Sequence, residues 1–259
     1  MMLTKGLRGK GYTFLYHILS SWFKIKNFKK KKIFIYTDSR GYDVLSRKGK
    51  NPFSSYCGEF IKKYNTDYHI CKEKHTTILD FLLVLDSIDV IKYDAIILHC
   101  GVVDFSPRPL SNLNWVLNSK KDNLYFKDII DCDQLYYKTP SETLYENEKV
   151  INLYSKNSLI EFIIPRLRKI ENLIWINSNR FIKGWDGNYM KGRPSNIDEF
   201  VNSFDEIMTN NIQHVINLKK WKDHDIQEFT IDNIHFTKKG FLELYKMINS
   251  KIISLEHDL

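Results

Sequence analysis

No stretch of this chain is apolar for the roughly 20 residues that a helix needs to cross a bilayer. The best candidate, the aromatic run Tyr12–Phe23, also has no long aliphatic core and no small-x-small cleavage site. It is therefore a poor match to a signal peptide. The four cysteines, Cys57, Cys71, Cys100 and Cys132, show neither C-x-x-C nor Cys/His spacing, which argues against a metal site or a disulfide framework. Two of them lie in apolar, strand-like runs and are expected as buried free thiols in a reducing, cytoplasmic compartment. Neither G-x-G-x-x-G nor a P-loop lysine follows the first strand, so a dinucleotide or nucleotide-phosphate site is not expected. No internal repeat or low-complexity linker divides the chain, and a single domain over residues 32–259 is expected.

Acidic residues are absent from residues 1–32, which hold nine Lys/Arg; the remainder carries 30 basic against 31 acidic residues. The net charge of +8 thus belongs to an N-terminal arm, residues 1–31, and not to the body. Nucleic acid is not an expected partner, because a nucleic-acid surface wants its cations spread over one face of the fold. Six lysines between Lys24 and Lys32 follow the aromatic run. This composition suits a helix packed on the domain ahead of a solvated lysine run. It also suits an amphipathic segment making peripheral contact with an anionic membrane.

From residue 32 onward, short apolar runs alternate with helical stretches. Strands are expected at 32–37, 67–71, 93–100 and 173–177. Helices are expected at 53–64, 78–88, 148–169, 198–215 and 238–255. Such alternation implies βαβ units and a parallel sheet covered on both faces. Residues 104–147 and 180–196 fit no unit and are expected as loops or small insertions, which tend to line a binding cleft.

Three segments concentrate polar chemistry. Thr37-Asp38-Ser39-Arg40-Gly41 follows the first strand, where open α/β sheets place ligands and where backbone N–H groups can hold an oxyanion. Gly101-Val102-Val103-Asp104, with Pro107 and Arg108, ends the third strand. Asp232-Asn233-Ile234-His235 precedes the last helix, with a spacing that lets the carboxylate orient the imidazole for a serine elsewhere.

In this order the three segments resemble the conserved blocks of the SGNH/GDSL hydrolase superfamily, over roughly residues 32–255. The resemblance implies an α/β fold, a flavodoxin-like three-layer α/β/α sandwich on a five-stranded parallel sheet. It implies Ser39 as nucleophile, His235 as general base and Asp232 as the group orienting His235, with no metal and no cofactor. G-V-V-D-x-x-P-R also resembles a branch found in bacterial surface-polysaccharide loci, so a glycan or other small ester is the implied substrate. Trp115, Arg180, Trp185, Tyr189 and Arg193 in the insertions suit stacking on, and hydrogen bonding to, a glycan.

The chain departs from the pattern at three positions. Thr37 replaces the first-block glycine. The second block, here Lys74 to Leu79, has no glycine, and Thr76 or Thr77 is left to present its backbone N–H. Val103 replaces the asparagine that donates to the oxyanion, a loss worth on the order of 10²–10³ in rate. Arg108 is the expected substitute, with Gly101 and Asp104 at the same edge. An ester hydrolase is the leading reading. O-acyl transfer uses the same triad, and a silent glycan-binding member is the reading that Val103 favours.

Overall fold

The structure, a computed structural model, describes residues 3–46, 48–73, 75–135 and 140–255; for residues 3–11 and 130–135 only the backbone is described. A helix α1 (Leu3–Lys26) precedes β1 (Lys32–Thr37), α2 (Tyr56–Lys63), β2 (Asn65–Ile70), α3 (Ile78–Leu85) and β3 (Ala95–His99). Next come a short α4 (Val102–Phe105), β4 (Arg108–Pro109), α5 (Leu110–Ser119), α6 (Leu124–Leu135), β5 (Leu144–Tyr145) and β6 (Glu148–Ile151). A helical run follows, made of α7 (Lys156–Ser158), a π turn (Leu159–Ile163) and α8 (Ile164–Leu167). The chain closes with β7 (Leu173–Ile176), α9 (Ile197–Asn211), β8 (His214–Ile216), α10 (Asp223–Phe229) and α11 (Lys238–Ser254).

Five strands form a parallel sheet in the order β2-β1-β3-β7-β8. Side chains alternate across a strand, so Ile33, Ile35, Ile97 and Ile174 face one way while Phe34, Tyr36, Leu98 and Trp175 face the other. The first set packs under α2, α10 and α11; the second packs under α3, α6, the α7–α8 run and α9. Burial on both faces is what a continuously apolar parallel strand requires. The result is a flavodoxin-like α/β/α sandwich, as the resemblance implied.

Three expectations need correction. Residues 148–151 are not the start of a helix. Glu148–Ile151 pairs antiparallel with Arg108–Pro109 and Leu144–Tyr145, and Glu146 and Asn147 both take positive φ (53° and 64°), as a tight two-residue hairpin demands. The helix that does follow widens into a π turn just before Pro165, whose missing N–H interrupts the regular ladder. His214 and Val215, expected as the end of the helix 198–215, instead belong with Ile216 to the edge strand β8 beside β7. Residues 104–147 are more than loops, since they hold α5 and α6. Leu113, Val116, Phe126 and Ile129 pack into the core, and a buried ion pair, Lys120 Nζ to Asp80 Oδ2 at 2.7 Å, adds a polar link; Asp80 is also half of the capping box that starts α3. Residues 180–196 do lack regular structure.

Ile97 is fully buried in the central strand β3, where its neighbours are held by both helical layers and cannot collapse into a void. Ile97→Ala should cost about 2–5 kcal/mol, read as a lowered urea-unfolding midpoint.

Candidate active site

β1 delivers Asp38 and Ser39 just beyond the carboxyl edge of the sheet, where the Asp38 N–H still reaches His99 O of β3 at 3.1 Å. In the order β2-β1-β3 this is the switch point at which open α/β sheets bind ligands. Ser39–Gly41 makes one 3₁₀ turn capped by Asp38, whose Oδ1 accepts from Arg40 N at 2.9 Å. The Arg40 side chain folds back so that Nε donates to Oδ1 and Nη2 to Oδ2 of Asp38, each at 3.0 Å. Both side chains are 2% exposed. Burial works against the Arg40 charge, but Asp38 outweighs it and holds Arg40 above its usual value. A bidentate pair in so dry a place is strong and geometrically exacting, and it fixes the turn that presents Ser39. The Ser39 N–H, first in its turn, has no intramolecular acceptor among the described residues.

The second half of the site is the loop between α10 and α11, closed by the bridge Thr230–Phe236. Asp232 Oδ1 accepts from the backbone N–H groups of Ile234 (3.1 Å) and His235 (2.7 Å). Its Oδ2 lies 2.8 Å from His235 Nδ1, and His235 Nε2 lies 3.0 Å from Ser39 Oγ. Burial pushes the Asp232 carboxyl up, yet hydrogen bonds from the His235 side chain and from backbone N–H groups outweigh it and hold it below its usual value. An ionised carboxylate only accepts, so Nδ1 carries the proton and Nε2 is the acceptor for the Ser39 hydroxyl. The three groups form one directed hydrogen-bond chain.

Residues 180–196 clamp this loop. Asn188 N donates to Ile231 O at 2.9 Å. Gly187 has φ +53°, and a Cβ there would meet Ile231 O at 2.0 Å, so only glycine permits this approach. Asn233, itself at φ +65°, accepts from Ile182 N at 2.9 Å and donates to Trp185 O. Its own carbonyl accepts from Asn179 Nδ2 at 2.9 Å. Arg193 Nη2 donates to Asp232 O at 2.6 Å and lies 3.4 Å from Asp232 Oδ2. Its Nη1 reaches Asp186 at 3.0 Å, and its Cζ lies over the Tyr189 ring, 4.2 Å from the centroid. Arg193, expected to face a glycan, is instead turned inward with 7% of its side chain exposed. Nothing local in the sequence marks it, because its partner lies 39 residues away.

The other candidate residues separate into two groups. Gly101 and Thr76 sit in the loops that follow β3 and β2, the two neighbours of β1, and thus flank Ser39 along the carboxyl edge. Gly101 starts α4 at φ +131°, where a Cβ would meet the Phe105 ring at 2.8 Å; Thr76 is buried, with its hydroxyl on Glu73 O at 2.9 Å. Asp104 and Arg108 turn into the protein. Asp104 Oδ1 accepts from Ile78 N, the first residue of α3, and from Tyr154 Oη, each at 3.0 Å. Arg108, expected as the substitute oxyanion donor, gives its Nη2 to the Val103 carbonyl; it is buried beside Asp104, and burial pulls its guanidinium down to about 10. The corrected picture is that Asp104 and Arg108 hold the loop after β3 together, with no described hydrogen bond from either to Ser39 or His235.

The chain matches no protein-family model and no curated protein. Three chains of solved structure match it in fold. One is the lipase/acylhydrolase from Enterococcus faecalis, 16% identical, covering 86% of this chain and 95% of that one with a TM-score of 0.49.

Burial pushes the Asp104 carboxyl up to about 7. Between about pH 4 and 7 the unfolded chain therefore ionises Asp104 while the folded one keeps its proton. The stability this group contributes is full below pH 4 and is lost as pH rises to 7. Asp104→Asn keeps the acceptor for Ile78 N and Tyr154 Oη without ionising. Urea-unfolding midpoints at pH 5, 6, 7 and 8 should fall less steeply for the variant than for the native chain.

Proposed function

We propose that this protein is a serine-dependent ester hydrolase that works through an acyl-enzyme. One observation carries the reading: Ser39 Oγ, His235 Nε2, His235 Nδ1 and Asp232 Oδ2 form a continuous chain of 3.0 and 2.8 Å contacts at the switch point of the sheet. His235 Nε2 takes the proton from Ser39 Oγ as Oγ attacks the ester carbonyl carbon. The carbonyl π pair moves to oxygen, and the oxyanion is held by the Ser39 N–H with the Gly101 backbone in the neighbouring loop as its second support. Collapse of the tetrahedral adduct breaks the bond to the alkoxy oxygen, which leaves as an alcohol with the proton from His235. Water, giving a proton to His235 Nε2 as it attacks, then adds to the acyl-serine carbonyl. Collapse of this second adduct breaks the bond to Ser39 Oγ, which takes the proton back from Nε2 as the acid leaves. Asp232 stays ionised throughout and stabilises the imidazolium.

The substrate class that fits is a small acyl ester on a glycan. Trp115 is 41% exposed and its ring lies 5.2 Å from that of His75 in the loop after β2, so a sugar stacking on the exposed part of the indole would sit at the same edge. Were a sugar hydroxyl to take the acyl group in place of water, the same residues would run an O-acyl transfer.

Arg193 is a positioning residue in this scheme. It holds both the carbonyl and the carboxylate of Asp232, so its loss lets the aspartate turn away from Nδ1.

Intact-mass analysis after treatment with a fluorophosphonate should show one adduct on the native chain, none on Ser39→Ala and a strongly reduced one on His235→Ala. A folded native chain that takes no adduct would make Val103 decisive and turn the assignment to a glycan-binding role without catalysis. Arg193→Gln should slow adduct formation about 10- to 100-fold, the scale set by small misplacements of catalytic groups. Arg193→Lys should recover part of the loss, with probe affinity unchanged in both variants.

A further inference from the structure

α1 has two unlike faces. Tyr16, Ser20, Phe23 and Asn27 recur every three or four residues and dock it on the body. Tyr16 donates to Lys48 O at 3.1 Å, Ser20 Oγ meets Tyr68 Oη at 3.0 Å, and the Phe23 ring lies 6.1 Å from that of Phe53. Asn27 donates to the carbonyls of Ile61, Lys62 and Tyr64 at 3.0–3.2 Å. At about 100° per residue, Phe14, Ile18 and Ile25 point the opposite way, with Trp22 at their side. These four are 69%, 49%, 74% and 54% exposed, and Phe28, just past the helix, is 66% exposed. Together they form a contiguous apolar stripe whose removal from water would be favourable in proportion to the apolar surface buried.

Cations border this stripe. Lys26 Nζ lies 5.2 Å over the Trp22 ring and Lys29 Nζ 5.6 Å over Phe28; Lys29 and Lys30 are exposed beside them. No acidic residue occurs in residues 1–32. Among the described residues no helix is long and apolar enough to cross a membrane, which leaves a helix lying in the plane of the interface. We propose that the outer face of α1 docks this protein on an anionic membrane surface. Phe14, Ile18, Trp22 and Ile25 enter the headgroup–acyl boundary while the lysines meet lipid phosphates.

Charge separates this occupant from a second copy of the chain. A two-fold pairing of α1 faces would set the same lysines against one another, whereas an anionic surface attracts them. Contacts run from Asn27 at the end of α2 to Tyr16 at Lys48 in the loop after Ser39–Gly41, so α1 lies along β2 with its first half toward the carboxyl edge of the sheet.

The test is flotation of the full-length chain with phosphatidylcholine vesicles, with and without phosphatidylglycerol. The expected result is flotation with the anionic vesicles alone, weakening as salt rises. Trp22→Ser/Ile25→Ser should abolish it with the urea-unfolding midpoint kept, since both side chains are solvent-facing. Replacing Lys26, Lys29 and Lys30 by Gln should weaken it on the order of 100-fold. Failure to float with anionic vesicles, or equal flotation of the Trp22→Ser/Ile25→Ser variant, would overturn the proposal. So would a dimer in solution that this variant converts to monomer, because a second copy would then cover the face. None of these readouts depends on the Ser39 chemistry.

Discussion

The 3.0 Å contact between Ser39 Oγ and His235 Nε2 joins residues 196 apart in the chain. It requires β1 and the loop before α11 to reach one edge of one parallel sheet. The two central pairings, β1–β3 and β3–β7, set that edge, and two layers of helices fasten it by burying the alternating faces of the central strands. A hydrogen bond tolerates errors of a few tenths of an ångström. The packed interior beneath the strands supplies that accuracy because it is dense and resists deformation.

Each partner of that contact is then held by its own polar device. Under Ser39 the buried Asp38–Arg40 pair ties the turn to itself, and a buried pair that loses one member leaves an uncompensated charge. Beside it, His99 is buried with Nδ1 on Tyr56 Oη at 2.9 Å, and burial followed by the nearby Arg40 charge holds its imidazole well below its usual value. Around His235 the restraint comes from outside the loop. Asn179, Ile182, Trp185, Asn188 and Arg193 all bond to the backbone or side chains of residues 231–233. An irregular segment with no element of its own thus acts as a rigid part, because its polar groups are satisfied by the loop it covers.

The misreadings along the sequence have local causes. Glu148–Ile151 carries residues that helices accept as readily as strands do, and what decided the matter was the turn at Glu146-Asn147, where two positive φ angles force a hairpin. β8 is three residues long, too short for a period of two to stand out from the end of α9. Arg108 looked like a ligand for an oxyanion because it lies near Val103 in sequence; in space its guanidinium belongs to the Val103 carbonyl. Arg193 was legible as an arginine in a long insertion but not as the partner of Asp232, since no periodicity links positions 39 apart.

The sequence by itself determined the parallel α/β class, through continuous β-branched runs spaced by helical ones, and it placed Ser39, Asp232 and His235 at strand or helix ends. The short Asp232–His235 spacing also encoded their mutual contact, because a single turn brings them together. Only the tertiary structure decided which long-range partners those residues meet. Ser39 meets His235, Asp232 meets Arg193, Asp104 meets the start of α3, and α1 leaves its aromatic face in solvent. Such contacts depend on crossovers and side-chain packing summed over the whole chain, and no window of sequence contains that sum.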